Sequence, residues 1–156
     1  MIAPDEFRDA LGRFASGVTV VTASSKTGEG GMTVTAFSSL SLIPPLVLVC
    51  IDHKARMFHV LENASHFAVN VLDASQEALA RRFADPDRDR FDGVVFHRAG
   101  SGAPILDGVL VTIECRLADA YPGGDHTIFV GLVESTNVRE GQPLIYYRGS
   151  YGGLDR

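Results

Sequence analysis

Two long strand patterns joined by a tight turn constrain the fold of this chain more than any other feature. Residues 109–121 read VLVTIECRLADAY, in which Thr112, Glu114 and Arg116 alternate with apolar residues, as in a strand with one buried face. The turn signal PGGD follows, so HTIFVGLVEST, residues 126–136, is expected to pair back as the next strand. A hairpin of this length predicts a chain that is mainly β.

Shorter patterns complete a predicted architecture of about seven strands, and the 156 residues fit one domain, 1–156. Connections between the early strands are too short for crossover helices, so we expect an antiparallel sheet that closes into a barrel. TIFVGLV has no polar face, so a second subunit is expected to cover the barrel in a homodimer. The remaining strands are predicted at residues 18–24, 32–37, 46–52, 66–72 and 143–147, and helices at residues 4–15, 55–63 and 75–85, the last with Ser75 as N-cap.

Composition and charge exclude several classes of protein. Lys and Arg number 14 against 19 Asp and Glu, a net charge of −5, which argues against nucleic acid or an anionic membrane surface as partner. No apolar run approaches the ~18 residues of a membrane span, and the charged N-terminal segment is unlike a secretion signal. Cys50 and Cys115 stand in apolar runs without metal-ligand spacing, so we expect buried thiols, no metal site and a cytoplasmic location.

A hydroxyl-rich segment is the first candidate for a binding site. Residues 33–41 contain five Ser or Thr in nine positions and are followed by Pro44 and Pro45. A strand that stops at Phe37 would leave backbone N–H groups beside these hydroxyls, which suits a polar ligand with amide, carbonyl or phosphate groups. A hydroxyl-rich outer strand with a rigid turn is the structural alternative.

Further candidates lie after the next strand and near the end of the chain. Lys54 and Arg56 at a helix start suit an anion, although a solvated helix start is equally consistent with them. The motif LARRFADPDRDRF would add the cations Arg81 and Arg82 and the ring of Phe83 or Phe91 to the same ligand, or supply only surface Arg and core Phe. The overlapping stretch PDRDRFDG is typical of a charged surface loop. His126 is either a positioned donor or a locally satisfied turn residue, and YYRGSYGGL either closes over a ligand or is a plain tail. Neither GxGxxG nor a P-loop is present.

These segments, in this order, resemble the short-chain flavin reductase family, the NAD(P)H:flavin oxidoreductases that supply reduced flavin to two-component monooxygenases. GMTVTAFSSLSLIPPLVLVCID and GDHTIFVGLV carry the resemblance, with FASGVTVVTA, FAVNVL, LARRFA and PLIYYRGSYGGL. The resemblance implies a mainly β, split β-barrel of the FMN-binding type, with Greek-key order and a few short flanking helices. It further implies a homodimer, FMN or FAD near the dimer interface, NADH or NADPH as hydride donor, and a flavin-dependent monooxygenase that receives reduced flavin by diffusion.

The same resemblance assigns residues to the site. Along the flavin ring and ribityl chain it places Thr33, Val34, Thr35, Ala36, Phe37, Ser38 and Ser39, and it counts Cys50 among the flavin-binding residues. Against the flavin phosphate it places Asp52, Lys54, Ala55, Arg56 and Met57, helped by Arg82 and Phe83. Facing the nicotinamide it places His126, Arg148 and Tyr151, and His126 is expected to orient that ring without supplying a proton.

One departure and two alternatives remain open. Many family members have Ser or Thr around the positions of Arg56 and Met57, so the phosphate contact and the choice between FMN and FAD are undecided. A non-enzymatic flavin or haem carrier on the same barrel would retain flavin with negligible NAD(P)H oxidation. An oxidase of the pyridoxamine-phosphate type shares the barrel, but PPLVLVCID and GDH point away from it.

Overall fold

The chain folds mainly into β-strands in a computed structural model that describes residues 1–155. Within those residues, no helix has the length and apolar character needed to cross a membrane. The helices are α1 (Pro4–Leu11), α2 (Arg56–Glu62) and α3 (Glu77–Arg82). The strands are β1 (Ser16–Gly17), β2 (Thr19–Ser25), β3 (Gly28–Val34), β4 (Phe37–Ser41), β5 (Leu46–Asp52), β6 (His66–Val71), β7 (Phe96–Arg98), β8 (Pro104–Leu106), β9 (Val111–Gly123), β10 (His126–Val138), β11 (Ile145–Tyr147) and β12 (Ser150–Gly152).

Seven antiparallel strands form the main sheet in the order β3-β2-β6-β9-β10-β5-β4. Its longest pair is β9 with β10, which confirms the hairpin predicted from the alternating pattern. A three-stranded sheet, β1-β11-β12, and a two-stranded sheet, β7-β8, lie beside it. The prediction of a mainly antiparallel β protein is therefore confirmed.

The two edges of the main sheet meet where the chain passes from β3 to β4. Only Thr35 and Ala36 separate these strands, although β3 and β4 lie at opposite edges of the sheet. Three Cα–Cα steps of ~3.8 Å span at most about 11 Å, so the sheet must curl until its edges approach. The backbone N–H of Cys50 donates to the carbonyl of Ala36 at 3.0 Å, yet among residues 1–155 the strand ladder stays open instead of closing into a complete barrel.

The strand predicted over residues 32–37 is correct in its first half, where the predicted hairpin with the preceding strand is confirmed, and wrong in its second half. The observed strand β3 runs from Gly28 to Val34, and Phe37 begins the separate strand β4. The alternation of residue types runs through both pieces, but the first pairs with β2 and the second with β5. A local pattern indicates extended backbone without showing which neighbour supplies the hydrogen bonds.

The predicted start of the third helix also needs correction. Helix α3 begins at Glu77 with Gln76 at its N-cap and no side-chain cap. The hydroxyl and the N–H of Ser75 instead donate to Oδ2 of Asp73 at 2.7 and 3.0 Å, and these bonds lower the pKa of the Asp73 carboxyl. The Ser75 hydroxyl therefore donates to an ionised carboxylate, a strong acceptor, and accepts no hydrogen bond from the first turn of α3.

Both faces of the central strands are buried. The neighbours Val20 and Val21 on β2 are each 0% exposed and belong to separate core clusters, the first packed with α3 and the second with α2. Asn70 on β6 is equally buried, and its amide group donates to the Val20 carbonyl and the Thr22 hydroxyl while accepting from the Leu106 N–H, at 2.9–3.1 Å. The sheet therefore forms a rigid support for the site at its edge.

Candidate functional site

The carboxyl end of β5 brings several of the predicted site residues together. Alternate residues of this strand enter the core, so Cys50 and Asp52 face the other way. Ala36 bonds to the backbone of Cys50, and His126 lies opposite Asp52 in the β5–β10 pairing. We call the line from Ala36 through Cys50 to Asp52 and His126 the β5 strip. Cys50, predicted to be buried, is only half-buried there, whereas Cys115 is buried as predicted.

A cleft of about 860 Å³ opens beside the β5 strip. One wall comes from β3, another from the segment that leads into α2, and a third from the loop after α3. We call it the basic cleft because its lining has four basic and two acidic residues in a chain of net charge −5. These residues are Lys54, Arg56, Arg88, Arg90, Glu29 and Asp89.

The acid on the β3 wall is already paired. The Glu29 carboxylate accepts hydrogen bonds from Arg98 and from the Ser24 hydroxyl, the latter at 3.1 Å. The negative charge of Glu29 is therefore offset by Arg98, a cation that does not line the cleft. The cleft consequently keeps an excess of positive charge.

Arg90 is held in place by carbonyl groups instead of a carboxylate. Its Nη1 donates to the Gly31 carbonyl at 2.8 Å and its Nε donates to the Asp85 carbonyl at 3.1 Å. Burial lowers the pKa of Arg90 from its ordinary value, the Asp85 charge raises it, and the nearby charge of Arg56 lowers it. Two guanidinium groups that repel each other across a cleft suit an anion, whose charge would relieve that repulsion.

The hydroxyl-rich segment is divided among different surroundings. The Thr33 hydroxyl donates to the Ala80 carbonyl at 2.6 Å and so holds α3 against β3. Val34 is 4% exposed and belongs to the core. Thr35 lines a separate cavity of about 580 Å³, while Ser38 and Ser39 lie exposed on the edge strand β4. The segment is therefore not one continuous ledge, although Thr35 through Phe37 adjoin the β5 strip.

The residues predicted at the phosphate also separate into two groups. Lys54 to Met57 line the basic cleft, but Met57 is 2% exposed and its side chain packs in the core. Phe83 is 0% exposed, and its ring meets that of Phe91 edge-on at 5.1 Å between centroids. Arg82 donates to the Asp89 carbonyl at 3.2 Å. Arg82 and Phe83 thus support the loop that carries the other cleft arginines.

Sequence reasoning missed Arg88 and Arg90. The stretch PDRDRFDG was interpreted as a charged surface loop, because alternating Asp and Arg are common on solvated faces. The arginines two residues apart, directly before Phe91, were the signal available. An apolar anchor beside Arg90 indicates that the loop packs on the protein at that point.

The three residues predicted at the nicotinamide do not form one group. The side chain of His126 is 40% exposed, and its Nδ1 lies 2.7 Å from Oδ1 of Asp125. The backbone N–H of Arg148 donates to the Gly12 carbonyl at 2.9 Å, and Arg148 lines the same cavity as Thr35. The Tyr151 ring packs on that of Tyr146 and under the Arg81 guanidinium, at 5.3 and 5.1 Å. Their assignment to a nicotinamide stays a prediction.

Fold and site together define a mainly β protein with a basic ligand cleft at the edge of its sheet. A family model described as a flavin reductase like domain matches residues 11–155. The chain therefore belongs to the flavin reductase-like family, and the resemblance found in the sequence is confirmed.

Individual relatives agree with this assignment. The chain is 44% identical to the reductase component of 4-hydroxyphenylacetate 3-monooxygenase from Thermus thermophilus, covering 96% of each chain. It is 42% identical to an NADH-dependent flavin reductase of a Rhodococcus species, covering 99% of this chain and 88% of that one. The solved structure of the NADH:FAD oxidoreductase SgcE6 of Streptomyces globisporus, in complex with NAD and FAD fragments, is similar with a TM-score of 0.93 and 38% identity, covering 99% of this chain and 96% of that one.

Proposed function

We propose that this protein is an NAD(P)H:flavin oxidoreductase that reduces FMN or FAD and supplies the reduced flavin to a partner monooxygenase. Relatives are NADH-dependent flavin reductases and reductase components of monooxygenases. The observation that carries the proposal is a basic cleft at the end of the β5 strip, where the backbone N–H of the cleft residue Lys54 donates to Oδ1 of Asp52, in a chain that belongs to the flavin reductase-like family.

The residues present fit a phosphorylated flavin. Lys54 and Arg56 on one wall, with Arg88 and Arg90 on the other, would hold a phosphate by charge-assisted hydrogen bonds. Arg56 stands in the region where many family members have Ser or Thr, and its guanidinium can donate several hydrogen bonds in one plane. Because Lys54 of the cleft follows Asp52 at the end of the β5 strip and bonds to it, a flavin whose phosphate lies in the cleft would have its ring along the strip.

The chain needs no acid–base pair for this reaction. When bound, the flavin supplies the redox chemistry by accepting at N5 a hydride from C4 of the reduced nicotinamide. The protein has to hold the two rings with their reacting atoms ~3–3.5 Å apart and to exclude water. We assign His126 to orienting the nicotinamide, because it is half-exposed at the end of the β5 strip.

Mixing the purified protein with NADH and, in turn, FMN, FAD and riboflavin tests the proposed function. We expect NADH oxidation that depends on added flavin. When a partner monooxygenase and its organic substrate are also present, we expect faster oxidation of that substrate. An absorption spectrum before mixing shows whether flavin copurifies. Bound flavin without NADH oxidation would contradict the proposal and would support the non-enzymatic carrier.

Replacing His126 by alanine is expected to slow turnover without abolishing it. Loss of one orienting hydrogen bond of ~0.5–1.5 kcal/mol corresponds to a decrease of about two- to thirteenfold in kcat/KM for NADH. Steady-state NADH oxidation at saturating FMN measures it. His59→Ala is the matched control, since that exposed histidine contacts Glu62 on α2. An unaltered rate in His126→Ala would remove this residue from the site.

We further propose the split-barrel arrangement with Greek-key order for this single domain, and a homodimer. The meeting of the sheet edges at Thr35 and Ala36 supports the barrel, and an experimental structure with separated edges would contradict it. Leu42 and Ile43 are 85% and 91% exposed, and α1 has no buried residue, so a second copy would cover apolar surface. A monomeric mass in sedimentation velocity at micromolar concentration would contradict the dimer.

We also propose a cytoplasmic location. Both cysteines are free thiols, which persist in a reducing compartment, and NAD(P)H is available there. Fractionation of cells that express the protein would check this assignment.

A further inference from the structure

We infer that Asp125 is a positioning residue that keeps the ring proton of neutral His126 on Nδ1, so that Nε2 accepts a hydrogen bond from the carboxamide N–H of the nicotinamide. This inference rests on the proposed function. It adds a residue to the site and states which part of the nicotinamide His126 recognises.

The geometry carries the inference. Nδ1 of His126 lies 2.7 Å from Oδ1 of Asp125, a distance typical of a charge-assisted hydrogen bond. A carboxylate only accepts, so the proton of a neutral ring must be on Nδ1 and the lone pair on Nε2. Within residues 1–155, Nε2 makes no hydrogen bond to the protein, and it is therefore available to a ligand that donates.

The backbone around this pair is well anchored. The Asp125 carbonyl accepts from the backbone N–H of His53 at 3.0 Å, and His126 pairs with Asp52 and Gly123 on its two sides. Gly124 has φ +66°, a left-handed conformation that favours glycine, and it forms the turn directly before Asp125. The backbone of both residues is thus held in place, and the Asp125 side chain, 87% exposed, reaches the His126 ring from the solvent side.

Two other titratable groups, Asp52 and His53, lie near His126 or its partner. Polar atoms of Asp52, Asp125 and His126 lie within 4.8 Å of one another. However, Oδ1 of Asp52 accepts from the backbone N–H of Lys54 at 2.8 Å, and Nε2 of His53 contacts the Thr127 hydroxyl at 2.9 Å. Asp125 is the carboxylate that remains for the ring, and its hydrogen bond with His126 and the His126 charge lower the pKa of Asp125.

The recognition follows from the position of the proton. A ring that accepts at Nε2 favours a ligand group that donates, and the carboxamide of nicotinamide has N–H donors. A ring with its proton on Nε2 would instead favour the carboxamide oxygen. A site that requires a donor discriminates against an analogue that lacks one, because its acceptor is then left unpaired.

Nitrogen NMR of the flavin-free protein tests the proton position directly. The protein is uniformly 15N-labelled and studied at alkaline pH, and the His126 signals are assigned by comparison with His126→Ala. We expect the ring 15N chemical shifts of a neutral imidazole that is protonated at Nδ1. Asp125→Ala is expected to move the proton to Nε2, the form that free imidazole side chains prefer. The control is Asp119→Ala, an exposed residue on the same hairpin that pairs with Val130, and it should leave the pattern unchanged. An Nε2-protonated ring in the wild type, or the same pattern in Asp125→Ala, would overturn the inference.

Kinetics with a changed substrate test the recognition. The reduced 3-acetylpyridine analogue of NADH keeps the carbonyl but lacks the N–H donor. We expect Asp125→Ala to lower the ratio of kcat/KM for NADH to kcat/KM for the analogue by about fivefold, the scale of one neutral hydrogen bond. The intrinsic difference in reactivity between the two hydride donors is the same for wild type and variant, so it cancels when their ratios are compared. A ratio that is unchanged in Asp125→Ala would overturn the inference. If no variant and no wild type oxidised NADH, the proposed function would fail, while the NMR measurement would still decide the role of Asp125.

Discussion

The double variant Lys54→Ala, Arg56→Ala is expected to bind FMN about 100-fold more weakly than the wild type, at ~1.5 kcal/mol for each charge-assisted hydrogen bond that is lost. Both residues line the basic cleft, and the flavin phosphate is the only anionic group of FMN. Fluorescence quenching of FMN on titration with protein measures the change.

Riboflavin distinguishes this cause from general damage to the site. It lacks the phosphate, so its affinity should stay the same in the double variant, and added salt should weaken FMN binding by the wild type more than riboflavin binding. The matched control removes two cations outside the cleft, Arg116→Ala with Arg139→Ala, each next to a carboxylate. Equal losses for FMN and riboflavin would show that the cleft does not hold the phosphate.

Replacing Gly131 by alanine is expected to destabilise the fold by about 1–3 kcal/mol, and valine by more, because the core has no space for the added atoms. A Cβ at Gly131 would lie 2.6 Å from Cζ of Phe67 and 2.7 Å from Cβ of Cys115. Both neighbours are almost completely buried, at 0% and 1% exposure, so neither can move away freely. Urea unfolding of the flavin-free protein measures the loss.

Two further variants identify the cause. Gly17→Ala is the control, a strand glycine with nothing within 4 Å of an added Cβ, and its stability should be close to that of the wild type. Phe67→Leu removes the ring that the new methyl group would meet. If the collision is responsible, the double variant Gly131→Ala, Phe67→Leu should lose less stability than the two single variants together. Simple additivity would contradict this explanation.

The hairpin and the cleft show where sequence reasoning succeeds and where it stops. The alternation in residues 109–121 and the PGGD turn predict β9 and β10, because each strand and its turn lie close together in the sequence. The same reasoning placed one strand at residues 32–37, although the structure divides it between opposite edges of the sheet. Neighbours that are distant in the sequence leave no local pattern.

The sequence by itself determined that the chain is mainly β, that Lys54 and Arg56 stand together, and that the motifs belong to the flavin reductase-like family. Only the tertiary structure decided that Arg88 and Arg90 form the opposite wall of the basic cleft, and that Nδ1 of His126 lies 2.7 Å from Oδ1 of Asp125, with Asp52 nearby. The physical reason is that a local pattern of residue types indicates which residues are buried and where the backbone is extended. The meeting of distant charges depends instead on how the whole sheet curls and packs.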